Sequence, residues 1–172
     1  MNNEIVKKIK NAVIIPVIEI DSVEDAIPLG EALIEGNLPV LEVTLRTPNA
    51  LEIIKKMSTI KNAIVGVGTL INFQDVQGAV DVGARFGVSP GITNELINAC
   101  EKLGLPLIGG VSSVSEAMKM LSLGYDVMKF FPAEVSGGVA ALKAIGAPLP
   151  QISFCPTGGI SLDNVANYLS QP

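Results

Sequence analysis

Val127-Met128-Lys129-Phe130-Phe131-Pro132-Ala133-Glu134 reads as a short apolar strand with a single lysine near its end. Two aromatics and a proline then stop it. A lysine in an apolar strand must find a partner, reach water along its own stem, or give up its charge. The last is chemically useful, because a neutral amine is a nucleophile. An ordinary lysine titrates near ~10.4 and is almost wholly protonated at neutral pH. Burial that brings it to roughly 7–8 permits Schiff-base formation with a carbonyl. This stretch alone leaves Lys129 open between snorkelling to solvent and that chemistry.

The same kind of apolar run recurs on either side. Strands are expected at residues 13–18, 38–43, 63–67, 84–88, 105–108, 126–130 and 151–155. Their central positions, Ile15, Val40, Val65, Phe86, Leu107, Met128 and Ser153, repeat every 21 or 25 residues. Pro16 implies a local irregularity in the first. Helix signals fill the gaps. Residues 4–10 form a short amphipathic helix. Ser22 opens a helix with Glu24 and Asp25 in its first turn that stops at Gly36. Thr47-Pro48 pairs a cap with proline at the first helical position. Asn72 and Thr93 cap helices ending at Gly83 and Gly104, and Ser113 with Glu116 makes a capping box for one ending at Gly124. A helix runs from about Gly138 to Gly146, and Ser161 caps the last, at 162–169.

Short continuous apolar strands alternating with helices describe βαβ units and a parallel sheet buried on both faces. The choice lies between an open doubly wound sheet and a (β/α)8 TIM barrel. Seven units fit in 172 residues and the next strand is due just after Pro172, whereas a barrel takes at least ~200 residues. The reading is α/β: one TIM barrel domain over residues 1–172, with seven βα units plus an N-terminal helix, cut off before its eighth strand. The native product is then expected to continue with a strand, a glycine-rich phosphate loop and a helix.

Composition narrows the chemistry. Apolar residues make up 48% and charged ones 17%, which indicates a heavily buried interior. The net charge is −5, and the one basic group, Lys7, Lys8 and Lys10, is a solvated helix face, so nucleic acid is not an expected partner. No apolar run approaches the ~20 residues of a membrane span, and Met-Asn-Asn-Glu has no signal-peptide layout, so a cytoplasmic location is expected. Cys100 and Cys155 read as reduced thiols. Histidine is absent, which removes Ser-His-Asp and Cys-His triads and the usual zinc sites. Acid–base work falls to Glu, Asp, Lys, Tyr or water, and only Arg46 and Arg85 can supply a bidentate clamp.

In a barrel the active site lies at the carboxyl ends of the strands. Those ends carry Glu19, Glu42-Thr44-Arg46, Gly68-Thr69, Ser89-Pro90-Gly91, Gly109-Gly110, Lys129-Phe131 and Thr157-Gly158-Gly159. Strands two and six share parity, so Glu42 and Lys129 are expected to converge at the mouth, as nucleophile and proton shuttle or as a buried ion pair. Arg46 is a carboxylate clamp or a loop salt bridge. Gly66-Val67-Gly68 is no dinucleotide loop, because Ile71 stands where a third glycine belongs. Thr157-Gly158-Gly159, ahead of a helix, is a phosphate cradle or an ordinary left-handed turn. Glu19 is a solvated strand end or a second acid–base group.

Together Pro16-Val17-Ile18, Leu41-Glu42-Val43-Thr44-Leu45-Arg46-Thr47, Val65-Gly66-Val67-Gly68-Thr69, Ser89-Pro90-Gly91, Lys129-Phe130-Phe131-Pro132-Ala133-Glu134 and Cys155-Pro156-Thr157-Gly158-Gly159-Ile160 resemble the 2-keto-3-deoxy-6-phosphogluconate / 4-hydroxy-2-oxoglutarate aldolase family. The resemblance implies a (β/α)8 barrel, a homotrimer and carbohydrate metabolism of the Entner–Doudoroff type. It implies Lys129 as Schiff-base lysine and Glu42 as proton shuttle. It places Arg46 on the keto-acid carboxylate, Thr69 and Thr157 beside pyruvate, Pro90 and Phe131 in the pocket wall, and Gly158 and Gly159 at the phosphate of a small keto-acid phosphate substrate. No metal or organic cofactor is implied. Two departures stand out. Many members carry a basic residue where this chain has Glu19, and the family's eighth strand and Gly-Gly-Ser phosphate loop have no counterpart. The alternatives are cleavage of 4-hydroxy-2-oxoglutarate or another keto-acid aldol, and a non-catalytic sugar-phosphate-binding barrel.

Overall fold

Caps, glycines and apolar runs divide the chain into the expected alternation of strands and helices. The computed structural model describes residues 3–171. Residues 1–2 of the N-terminal layout and Pro172 lie outside the described residues. The elements are α1 (Asn3–Lys10), β1 (Val17–Ile18), α2 (Ala26–Glu35), β2 (Val40–Thr44), α3 (Ala50–Met57), β3 (Ile64–Gly68), α4 (Phe73–Asp81), β4 (Phe86–Val88), α5 (Asn94–Leu103), β5 (Leu107–Val111), α6 (Val114–Ser122), β6 (Val127–Phe130), α7 (Gly138–Gly146), β7 (Ser153–Pro156) and α8 (Val165–Leu169). They fall into two compact units, Met1–Ser89 with Thr93–Leu107, and Pro90–Ile92 with Ile108–Pro172.

In the first unit β1, β2, β3 and β4 pair in chain order, all parallel. β2 and β3 are buried along their whole length, including Glu42 and Thr44 of β2. α3 packs against both and buries Ile53, Ile54 and Met57 completely, each contributing about 1.5–3 kcal/mol. The other face of the sheet has a different content. Glu42 is in register with Gly66, and Gly66 with Phe86. A Cβ on Gly66 would lie 2.6 Å from Cδ2 of the Phe86 ring, so Phe86 fills the space that a side chain at 66 would need. Alternation then puts Glu42, Gly66, Gly68 and Phe86 on one face and Leu41, Val43, Val65 and Val67 on the other.

Local capping holds where nothing competes for the cap. Asn72 Oδ1 accepts from Asp75 N at 2.9 Å and Thr93 Oγ1 from Leu96 N at 3.1 Å. Gly104 ends α5 in the left-handed conformation at φ 69°. Several expected boundaries move. The first strand shrinks to Val17–Ile18. Pro16 has no N–H to give the ladder, though its carbonyl accepts Glu42 N at 3.0 Å, and Val13 and Ile14 are exposed. Ser22 Oγ accepts from Asp25 N at 3.2 Å, closing a turn ahead of α2 rather than its first turn. Thr47 does not cap α3, because its hydroxyl donates to the carbonyl of Ile20 at 3.0 Å; the helix begins after Asn49 instead.

In the second unit β5, β6 and β7 are parallel and again in chain order. The capping box of α6 forms as read: Glu116 N donates to Ser113 Oγ, and Glu116 Oε2 accepts from Ser113 N at 3.0 Å and Ser112 N at 2.8 Å. Met120, Met128 and Phe130 are completely buried. Phe130 meets Phe154 edge to face, with centroids 6.5 Å apart. The last helix starts at Val165 rather than 162. Ser161 spends its hydroxyl on Asp163 N and its carbonyl on Val165 N, so one turn precedes the helix.

Candidate active site

Burying a charge is costly unless it is paired or used. Among the described residues only two charged side chains are buried, Glu42 at 4% exposure and Lys129 at 6%. Each sits in a buried strand, Glu42 at the middle of β2 and Lys129 next to the carboxyl end of β6.

In the first unit Glu42 projects from the face that also carries Gly66, Gly68 and Phe86. A Cβ on Gly68 would overlap Oε1 of Glu42 and lie 2.9 Å from its Cγ and 3.0 Å from its Cδ. The carboxylate therefore rests in the space left by Gly68. Thr69 follows at φ 67°, a conformation that a β-branched residue adopts only under strain. At the end of β2 Thr44 Oγ1 donates to Ile18 O at 3.3 Å, and beyond it Asn49 Nδ2 donates to Asp21 O at 2.9 Å. With Thr47 on Ile20, these tie the loop after β2 to the loop after β1. Arg46 belongs to the same lacing: its Nη1 lies 2.8 Å from Oε2 of Glu19. The ion pair read as one alternative for Arg46 is thus formed, and Glu19 is its partner rather than a bare strand end.

In the second unit Lys129 is in register with Gly110 on one side and Cys155 on the other. Its Nζ lies 5.4 Å from the centroid of the Phe131 ring, a separation at which the ring face attracts a cation. Phe131 and Thr157 are half-buried. The segments 131–134 and 157–159 are stitched together: Ala133 N donates to Thr157 O at 2.8 Å and Glu134 N to Gly158 O at 3.1 Å. Gly158 and Gly159 have φ of 103° and 79°. At Gly159 a Cβ would stand 2.8 Å from Glu134 Cβ and Cγ, so both conformation and space require glycine there. These glycines lie ahead of α8, which begins at Val165, with one turn between. Pro90 is exposed.

Lys129, Phe131 and Thr157-Gly158-Gly159 thus share the second unit, and Glu42, Arg46 and Thr69 the first. Sequence reasoning missed two features: the Glu19–Arg46 pairing and the use of Gly68 as the slot for Glu42. The first had a weak signal, one of only two arginines two loops away from an acid. The second had the Gly-Val-Gly spacing, read only as a failed nucleotide motif. Among the described residues no group of three or more His, Cys, Asp or Glu is placed to hold a metal ion, and no helix is long and apolar enough to cross a membrane.

The family model for KDPG and KHG aldolase matches residues 5–172. The chain belongs to the KDPG and KHG aldolase family, a family of carbon–carbon lyases. It is 51% identical over 160 residues to the 2-dehydro-3-deoxy-phosphogluconate aldolase of Pseudoalteromonas atlantica, covering 92% of this chain and 74% of that one. The 2-keto-3-deoxy-6-phosphogluconate aldolase of Zymomonas mobilis, solved with 3-phosphoglycerate, superposes with a TM-score of 0.94 at 42% identity, over 100% of this chain and 82% of that one. The KDPG aldolase of Legionella pneumophila, solved with pyruvate captured as a covalent carbinolamine, gives 0.89 at 49% identity, over 94% and 79%. The agreement with these aldolases places the fold in the (β/α) barrel class expected from the strand repeat.

Proposed function

We propose that this protein is a class I aldolase that cleaves 2-keto-3-deoxy-6-phosphogluconate to pyruvate and glyceraldehyde 3-phosphate through a Schiff base on Lys129. The observation that carries the reading is a lysine buried at the carboxyl end of β6, its amine over the Phe131 ring, in a chain 49% identical to an aldolase that holds pyruvate as a carbinolamine. The amine of Lys129 attacks the keto carbon to give the carbinolamine. Glu42 shuttles the protons that let water depart, leaving a protonated imine. The imine accepts the electron pair of the breaking carbon–carbon bond as the substrate's 4-hydroxyl loses its proton, and glyceraldehyde 3-phosphate leaves. The enamine takes up a proton, and hydrolysis releases pyruvate and restores the amine. The Phe131 ring favours the cationic imine by about 0.5–2 kcal/mol. Arg46 receives the keto-acid carboxylate, Thr69 and Thr157 flank pyruvate, Pro90 and Phe131 wall the pocket, and Gly158 and Gly159 meet the phosphate end.

The test is borohydride reduction with pyruvate followed by peptide mapping. The expected adduct is on Lys129, and Lys129→Met, which keeps most of the side-chain volume, abolishes both adduct and turnover. Glu42→Gln lowers turnover about 10²-fold or more while slow trapping persists. No adduct, or one on another lysine, overturns the reading. Turnover of 2-keto-3-deoxy-6-phosphogluconate against 4-hydroxy-2-oxoglutarate ranks the two substrates that the family's name joins. The family resemblance also supports a cytoplasmic homotrimer; the mass from light scattering tests the trimer.

A further inference from the structure

Gly66-Val67-Gly68 serves no nucleotide, yet the two glycines face the same side of the sheet as Glu42. Gly66 yields its side-chain space to the Phe86 ring. We propose that Gly68 is a positioning residue for Glu42: its missing side chain is the slot that sets where the carboxylate lies. This deepens the reading of Glu42 as proton shuttle and rests on it.

Three observations carry the inference. First, Gly68 is the last residue of strand β3, still in register with Thr44, and its φ is outside the left-handed region, unlike those of Gly83, Gly104, Gly158 and Gly159. Backbone conformation does not require glycine at 68; space does. Second, the three atoms that a methyl group would meet first all belong to Glu42: Oε1, Cγ at 2.9 Å and Cδ at 3.0 Å. These are the far end of a flexible side chain, so the fold can yield by moving the carboxylate rather than the backbone. Third, Glu42 is 4% exposed, so a displaced carboxylate moves against packed neighbours rather than into water. Carbon contacts settle at about 3.5–4.0 Å, so a methyl group, which would overlap Oε1, pushes the carboxylate by about 1 Å or more. A misplacement of about 1 Å in a catalytic group costs on the order of 10²-fold in rate.

Gly68→Ala is therefore expected to lower kcat about 10²-fold, to retain borohydride-trapped pyruvate on Lys129, and to melt cooperatively. The decisive variant is Gly68→Ala combined with Glu42→Asp. Aspartate is shorter by the methylene that the alanine methyl displaces. In the parent background Glu42→Asp lowers kcat; in the Gly68→Ala background it is expected to raise kcat at least about fivefold over Gly68→Ala alone, because size is exchanged across one contact. A glycine needed only for sheet packing gives no such reversal. Parental kcat in Gly68→Ala overturns the inference. So does an equal loss from Glu42→Asp in both backgrounds, or a Gly68→Ala chain that no longer melts cooperatively, which assigns the glycine to packing. Glu42→Gln separates the two levels. If it turns over like the parent, the proton-shuttle reading fails; if it is impaired while Gly68→Ala is not, only the inference fails.

Discussion

Arg46→Lys separates the ion pair that Arg46 makes in the structure from the carboxylate clamp proposed for it. Arg46 pairs with Glu19 at 2.8 Å, and the two side chains are 54% and 49% exposed. An ion pair that wet contributes ~0–1 kcal/mol to stability. For a domain of this size each kcal/mol shifts Tm by about 2–4 °C, so the melt of Arg46→Lys is expected within ~4 °C of the parent, and closer at high salt. A substrate carboxylate held by the guanidinium is a different matter. Lysine keeps the charge and loses the planar fork. Hydrogen bonds to charged groups contribute about 1.5–3 kcal/mol, and each 1.4 kcal/mol is tenfold, so kcat/KM is expected to fall about 10- to 150-fold. The assay is pyruvate release coupled to lactate dehydrogenase, with a thermal melt on the same sample. Glu19→Gln is the control: it discards the ion pair and keeps the guanidinium. If Arg46→Lys holds kcat/KM within about twofold, or if Glu19→Gln loses as much as Arg46→Lys, the carboxylate-clamp reasoning is refuted and the pairing of the two loops is what matters.

Other outcomes follow from the second unit and from α5. The Ser112 N–H holds the Glu116 carboxyl below the usual carboxylate range, with Ser113 assisting and partial burial opposing. A depressed pKa stabilises the fold above the unfolded value near ~4.3 and loses that contribution as pH falls through the folded value; melts of Glu116→Gln should fall below the parent at pH 7 and converge with it as pH drops below about 4. Ser113→Ala, which removes the cap itself, should cost about 1 kcal/mol. Tyr168 is buried and donates its hydroxyl to Glu134. Burial first, then that carboxylate, pushes its pKa up to about 12. The unfolded phenol ionises near ~10, so the parent should lose stability relative to Tyr168→Phe as pH rises from 10 towards 12, read as a shrinking Tm gap. Burial, with the Glu101 charge second, pushes the Cys100 thiol to about 11. Iodoacetamide at pH 8 is therefore expected to spare Cys100 in the folded protein and label it in urea, read by peptide mass.

The sequence by itself determined whatever depends on period and on near neighbours. A repeat of apolar runs every 21 or 25 residues is a property of order along the chain, and it yields seven parallel strands without any knowledge of contacts. Asn72, Thr93 and the Ser113–Glu116 box act within three residues of themselves, so their helices start where they are read. Lys129 and Glu42 stood out because a charge in an apolar run is visible in one dimension. What the tertiary structure alone decided is every choice in which a distant partner outcompetes a local one. Thr47 reads as a cap, but the Ile20 carbonyl takes its hydroxyl, and α3 starts later. Val13 and Ile14 have strand composition, but pairing with β2 begins only at Pro16. Arg46 meets Glu19 across 27 positions, and Gly68 meets Glu42 of the neighbouring strand. Side chains so far apart in the chain are brought together only by parallel register, which pairs residues a whole βα unit apart and leaves no mark in the sequence between them.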